Sequence, residues 1–215
     1  MLNINVPYIS SIKETATLQY ISILLDDLER NAIQRAPWPG YSDNPEVAFS
    51  VGYTKESILI KYYVHEKSIR ALHSLVNTPV HEDSCLEFFI SFDDSVGYYN
   101  LEFNCIGTCL FGHGKEKEHR KMMHEETISK IRRLVVIEQA VNGNSNPVYW
   151  ELVVVIPMEA FVHDNITNLK GTHCRVNFYK CGDQLPEPHF LAWNDIIATS
   201  PDFHLPEFFG NMYFV

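Results

Sequence analysis

The sequence predicts an all-β protein, an antiparallel β-sandwich or barrel with a short N-terminal helix and minor helical insertions. Three observations point there. From Val47 onward, apolar residues alternate with polar ones in short runs, the period of a half-buried strand. Turn residues punctuate those runs at short intervals, as in sandwiches and barrels. No repeat, low-complexity tract or linker divides the chain, so residues 1–215 read as one domain, with 1–36 as a lead-in and short helix.

Residues 1–15 read as an extended lead-in. Between Thr17 and Ile33, Leu18, Ile21, Leu25 and Leu28 recur at helical spacing, which predicts a short helix. The stretch APWPGYSDNPE (36–46), with three prolines and a glycine, ends it as an ordered loop or turn pair. VAFSVGY (47–53) and ILIKYYV (58–64) then form a hairpin through TKES. LEFFISF (86–92) and YNLEFNC (99–105) form a second through DDSVG. GTCLFGHG (107–114) reads as a strand ending in a Gly-rich turn, and 115–130 as helical or irregular. IRRLVVIEQ and VYWELVVVIP are strands around the loop VNGNSNP, and MEAF is a single helical turn. CRVNFYKC, HFLAW and NMYFV are late strands.

Composition narrows the function. The net charge of −10 argues against nucleic acid and anionic membranes, which need basic patches. The basic residues between Lys115 and Arg133 alternate with glutamates and read as a solvated helix face. Five cysteines without a CxxC or zinc-type spacing read as buried free thiols, which suits a reducing compartment. The N-terminus lacks signal-peptide character, so the sequence as it stands reads as cytoplasmic; a trimmed signal would make it periplasmic or secreted.

The strand faces opposite the apolar ones carry the chemistry. With Leu86 and Leu101 inward, Glu87, Tyr98, Asn100, Glu102 and Asn104 point outward. With Val176 and Phe178 inward, Arg175, Asn177 and Tyr179 do the same. Carboxylates, amides, a guanidinium and aromatic rings on one surface are what a sugar needs, planar polar groups for hydroxyls and a flat ring for its C–H face. The bland alternative is a charge-balanced sheet surface covered by loops or helices. Glu87 and Glu102 on adjacent strands would repel if directly opposite, and a cation or a hydroxyl-rich ligand would offset that. The same pair is the candidate for a glycosidase. Trp150, in phase with Leu152 and Val154, reads as core, whereas Trp38 and Trp193 lie beside loops and are candidate stacking rings. Asp83, Asp93 and Asp94 lie in HEDS and SFDDSVG, where clustered oxygens offer a calcium site or simply capped turns. No P-loop, nucleophile elbow or HExxH motif is present.

The segments EDSCLEFFISF, GYYNLEFNCIGTCL, WELVVVIPMEAF, VNFYKCGD, PHFLAWN and PDFHLPEFFGNMYF, in this order, resemble the family 9-like carbohydrate-binding modules, and among them a subgroup found in Bacteroidetes. The resemblance runs from about Pro37 to the C-terminus. It implies a jelly-roll-like sandwich, non-catalytic binding of a mono- or oligosaccharide, and structural calcium. It marks Asp83 and Glu87 as site or calcium candidates, with Asn104, Trp193 and Trp38 at matching positions. His81 stands where relatives often carry an aromatic ring just before the acidic strand. The expected function is weak sugar binding. A glycoside hydrolase and an interaction protein with a degenerate sugar site are the alternatives.

Overall fold

The structure, a computed structural model, describes residues 1–13, 15–41, 45–139 and 147–215. In chain order its first strands are β1 (Asn3–Val6), β2 (Asn31–Ala32), β3 (Glu46–Tyr53), β4 (Ser57–Glu66), β5 (Cys85–Asp93), β6 (Gly97–Asn104) and β7 (Cys109–Gly114). Then come β8 (Lys121–Met122), β9 (Arg132–Gln139), β10 (Val148–Pro157), β11 (His173–Cys181), β12 (Phe190–Ala192) and β13 (Gly210–Phe214). Two helices interrupt them, α1 (Leu18–Asp26) and α2 (Glu125–Ser129). Residues 42–44 of the proline-rich stretch and 141–146 of the VNGNSNP loop lie outside the described residues.

The strands form two sheets. The larger runs β1-β13-β11-β5-β6-β7-β8, with β12 also paired to β11, and the smaller runs β2-β3-β4-β10-β9. The inward residues read from the alternation are the ones buried between them. Leu86, Phe88, Leu101, Phe103, Val176 and Phe178 meet Phe49, Ile60, Tyr62, Trp150, Leu152 and Val154. Phe49 and Phe178 stack across the sandwich with centroids 3.7 Å apart. The lead-in holds a strand that its composition did not announce: β1 pairs in parallel with β13, the exception to an otherwise antiparallel sheet.

The helix begins where expected, with the Thr17 hydroxyl accepting from the Tyr20 amide. It stops at Asp26, so Asn31 and Ala32 are free to pair with β3. Its Ile21 and Leu25 cover Leu59, Val153 and Val155 on the outside of the small sheet. There Asp26 reaches the buried Lys61 ammonium at 2.7 Å, and Glu151 holds it at 2.9 Å.

Two further assemblies, one polar and one apolar, shape the molecule. Inside the sandwich, Lys180 Nζ lies 3.0 Å from Glu66 Oε2 and 2.8 Å from His189 Nε2, while the Trp150 indole donates to Glu66 Oε1 at 2.7 Å. On the outside of the large sheet a second apolar cluster forms. Phe89, Tyr98 and Tyr179 of the sheet pack against Ile196, Phe203 and Phe209 from the segment that follows β12, with Trp38 beside them. The polar face read as outward is therefore roofed, and Tyr98, Asn100, Glu102, Asn104, Asn177 and Tyr179 are all buried.

Candidate functional site

Antiparallel register places Glu87 of β5 directly opposite Glu102 of β6. On the other side Glu87 faces Tyr179 of β11. Both glutamates are nearly inaccessible, at 3% and 2% exposure. They stand at one edge of the roof, where a cavity of about 90 Å³ opens. Its walls include His81, Arg120, Cys181, Asp183, Phe190 and Phe203.

The two carboxylates are held differently. Glu87 Oε1 accepts the Cys181 thiol at 3.1 Å. Burial first, and the facing Glu102 second, push the Glu87 carboxyl well above the usual carboxylate range. Glu102 Oε1 accepts the Asn100 amide at 2.9 Å, and Arg120 Nη1 approaches it at 4.0 Å. Glu102 Oε2 is buried without a hydrogen-bond partner among the described residues. His81 Nδ1 stands 3.7 Å from it, beyond hydrogen-bond reach but close enough for Glu102 to raise the imidazole above its ordinary 6.5.

Arg120 is positioned from behind. Its Nη1 donates to His204 Nε2 at 2.5 Å, and His204 Nδ1 lies 2.8 Å from the Tyr98 hydroxyl. A guanidinium only donates, so Nε2 is the acceptor and the ring proton sits on Nδ1. Burial, then the Arg120 charge, hold His204 down at about 3, so the ring is neutral. Gly112, opposite Asn100 on β7, makes room for this arrangement. A Cβ there would lie 2.6 Å from Asn100 Oδ1 and 3.2 Å from Arg120 Cδ.

Of the residues singled out from sequence, Glu87 and Glu102 line the cavity, and Tyr98 and Tyr179 support its wall. The Tyr179 ring stacks on Phe203 at 4.2 Å. Trp38 backs Phe190 and Phe203, with its indole donating to the Ala198 carbonyl. Trp193 lies elsewhere. It is wedged edge-on against Phe49 and Phe178 between the sheets, 4% exposed, where a ring serves the core and has no free face. Asn177 ties the Asn194 backbone to the sheet. Arg175 pairs with Asp94 and donates to the Glu207 and Phe209 carbonyls, away from the cavity.

The calcium reading does not fit Asp83. This carboxylate is fully buried, paired with Arg70, and accepts from the Leu72 and His73 amides and from Asn104 Nδ2. Protein donors already surround both oxygens, leaving none for a cation. Asp93 caps its own turn by accepting from the Ser95 amide, and Asp94 faces Arg175. Asn104 is part of the Asp83 knot and lies outside the cavity.

Sequence reasoning missed Arg120, His204, Asp183, Phe190 and Phe203. Arg120, read as part of a solvated helix face, precedes β8 and keeps only 14% of its side chain exposed. Its neighbours gave no hint, since the partners come from β6 and from the segment before β13.

The family model described as carbohydrate-binding family 9 matches residues 19–214. A Bacteroides uniformis protein with a provisional carbohydrate-binding designation shares 35% identity, with 99% of each chain covered and a TM-score of 0.91. A family 9 carbohydrate-binding module from Caldicellulosiruptor kristjanssonii, solved with glucose, aligns over 100% of this chain and 96% of its own, at 9% identity and TM-score 0.64. The structure of such a module from that organism with cellotriose aligns at 11% identity over 99% and 93% of the two chains, with TM-score 0.60. A search among curated proteins gave no match. The two Caldicellulosiruptor structures share the fold; the family match carries the assignment. The chain belongs to carbohydrate-binding family 9, and its function is carbohydrate binding.

Proposed function

We propose that the cavity beside Glu87 and Glu102 is the sugar site, and that it takes one edge of a glucose-type ring from a mono- or oligosaccharide. The observation that carries this is Glu102 Oε2, a buried acceptor with no hydrogen-bond partner among the described residues, on the wall of a cavity. Leaving such an oxygen unpaired costs about 1–3 kcal/mol, which a ligand hydroxyl would recover. Arg120 supplies donors beside it, and Phe203 offers an apolar surface to the C–H face of the ring. The Caldicellulosiruptor modules solved with glucose and cellotriose suggest which sugars to try first.

A cavity of about 90 Å³ has room for several water molecules and not for a whole sugar ring. It admits two or three hydroxyls and leaves the rest of the ring outside. A few hydrogen bonds and one apolar contact give a dissociation constant of about micromolar to millimolar. Titration calorimetry with glucose and cello-oligosaccharides tests this. Wild-type protein should bind, and Glu102→Gln and Arg120→Met should each weaken binding about tenfold or more. Equal affinity in all three would refute the site.

The glycosidase reading has one observation in its favour, facing carboxylates of which one, Glu87, is pushed well above the usual carboxylate range by burial and by the other. Cleavage needs a scissile bond between the two groups, and a space this small favours binding. Product released from cellotriose, and lost in Glu87→Gln, would reverse that judgement. If no sugar binds or stabilises the protein, the interaction-protein reading replaces both.

A further inference from the structure

We propose that Cys85, Cys181 and Glu87 form a site for one thiophilic divalent cation of the zinc class, at the floor of the same cavity. The two cysteines are partners across the β5–β11 ladder, and Glu87 follows Cys85 by two residues on the same face. One donor atom from each residue lies within 4.8 Å of the other two. Cys181 Sγ and Glu87 Oε1 are 3.1 Å apart. A tetrahedral zinc ion, with bonds of about 2.3 Å to sulfur and 2.0 Å to oxygen, needs separations of about 3.8 Å between sulfurs and 3.5 Å between sulfur and oxygen. Side-chain shifts of under about 1 Å close that difference.

Surroundings favour a cation independently of the ligand set. Apart from Glu87, the cavity wall carries Glu102, Asp183 and Asp202 against the fixed cations Lys117 and Arg120, with His81 beside Glu102. His204 is neutral because it accepts from Arg120. Glu102 Oε2, on the residue opposite Glu87, is a buried acceptor without a hydrogen-bond partner among the described residues. Two thiolates select zinc, cobalt(II) or cadmium over calcium and magnesium. Binding releases each thiol proton, and any proton on Glu87, to solvent. Cys181 and Glu87 both line the cavity, so an ion can enter, and its fourth position faces that space. Spacing along the chain could not show this site, because the cysteines sit on strands far apart in sequence.

The test is a cobalt(II) titration of the full, reduced, metal-free chain, with reductant present because a Cys85–Cys181 disulfide would consume both ligands. Expected are a thiolate-to-cobalt charge-transfer band and tetrahedral visible bands at one equivalent, both bleached by zinc. Cys85→Ser and Cys181→Ser should lose the charge-transfer band, while Cys109→Ser keeps it. Glu87→Gln, of nearly the same shape, should keep the band and bind cobalt at least tenfold more weakly, which covers the case of a cysteine variant that does not fold. No band in the wild type, or an unchanged band in Cys181→Ser, overturns the proposal. A glucose titration of the same metal-free sample is read separately: sugar binding without a cobalt band removes the metal site and leaves the sugar site standing.

Discussion

Replacing Lys180 by Met tests the interior of the sandwich most directly. Lys180 is fully buried, and its ammonium contacts Glu66 at 3.0 Å, His189 at 2.8 Å and the Cys181 carbonyl at 2.9 Å. Met keeps the apolar stem and removes the charge. Glu66 would then be a buried carboxylate held by the Trp150 indole at 2.7 Å, with His189 Nε2 3.8 Å from it. Removing one partner of a buried ion pair costs about 3–5 kcal/mol, because the other charge is left uncompensated. For a chain of this size each kcal/mol moves the melting temperature by about 2–4 °C, so a fall of about 6–20 °C is expected. Adding Glu66→Met removes the stranded charge and should recover most of the loss. Recovery stays incomplete, since the Trp150 N–H is left without its acceptor at about 1–3 kcal/mol. Urea unfolding of the wild type, both single variants and the double variant closes the cycle. A Lys180→Met cost below about 1 kcal/mol, or additive single effects, would refute the coupled pair.

Gly112→Ala should destabilise by about 1–3 kcal/mol and weaken sugar binding, because its Cβ meets Asn100 Oδ1 at 2.6 Å and crowds Arg120; calorimetry and urea midpoints check both. His113 is held down at about 4, chiefly by burial and then by His163. The unfolded chain therefore takes up this proton first, so the stabilisation is complete above about pH 6.5 and fades as pH falls towards 4. His113→Phe should flatten the stability profile across that window by about 1–3 kcal/mol, and an unchanged slope would reject the assignment. Asp83→Asn should cost about 3 kcal/mol or more by stranding the Arg70 pair, whereas adding or chelating calcium should leave the wild-type melting temperature where it is; a calcium-dependent shift would show that the fit argument at Asp83 fails.

Alternation made the sandwich legible, since a side-chain period of two fixes which residues enter the core once a few apolar positions are placed. It also put Glu87 and Glu102 on a common face, although only the pairing register shows them opposite. The roof was not legible. Phe203 and Phe209 look like loop residues until the chain folds back over Phe89 and Tyr179. Trp193 misled because position beside a loop says nothing about which side of the sheet a ring enters. Lys180 was accessible in principle, as it continues the inward phase of Val176 and Phe178, but its partner Glu66 is on the other sheet. Arg120 and His204 are joined only by tertiary geometry.

The parallel pairing of β1 with β13 has a consequence for how the molecule assembles. Asn3 and Asn211 are 208 positions apart, and closing a loop of that length costs about 5 kcal/mol of chain entropy before any contact repays it. Strand β13 sits between β1 and β11, so the edge of β11 from His173 to Val176 stays bare until the last strand arrives. The segment that roofs the cavity ends where β13 begins. Met212 and Phe214 of β13 and Ile4 and Val6 of β1 belong to the core between the sheets, so a growing or refolding chain closes its sandwich and the cavity beside Glu102 in the same late, nonlocal step.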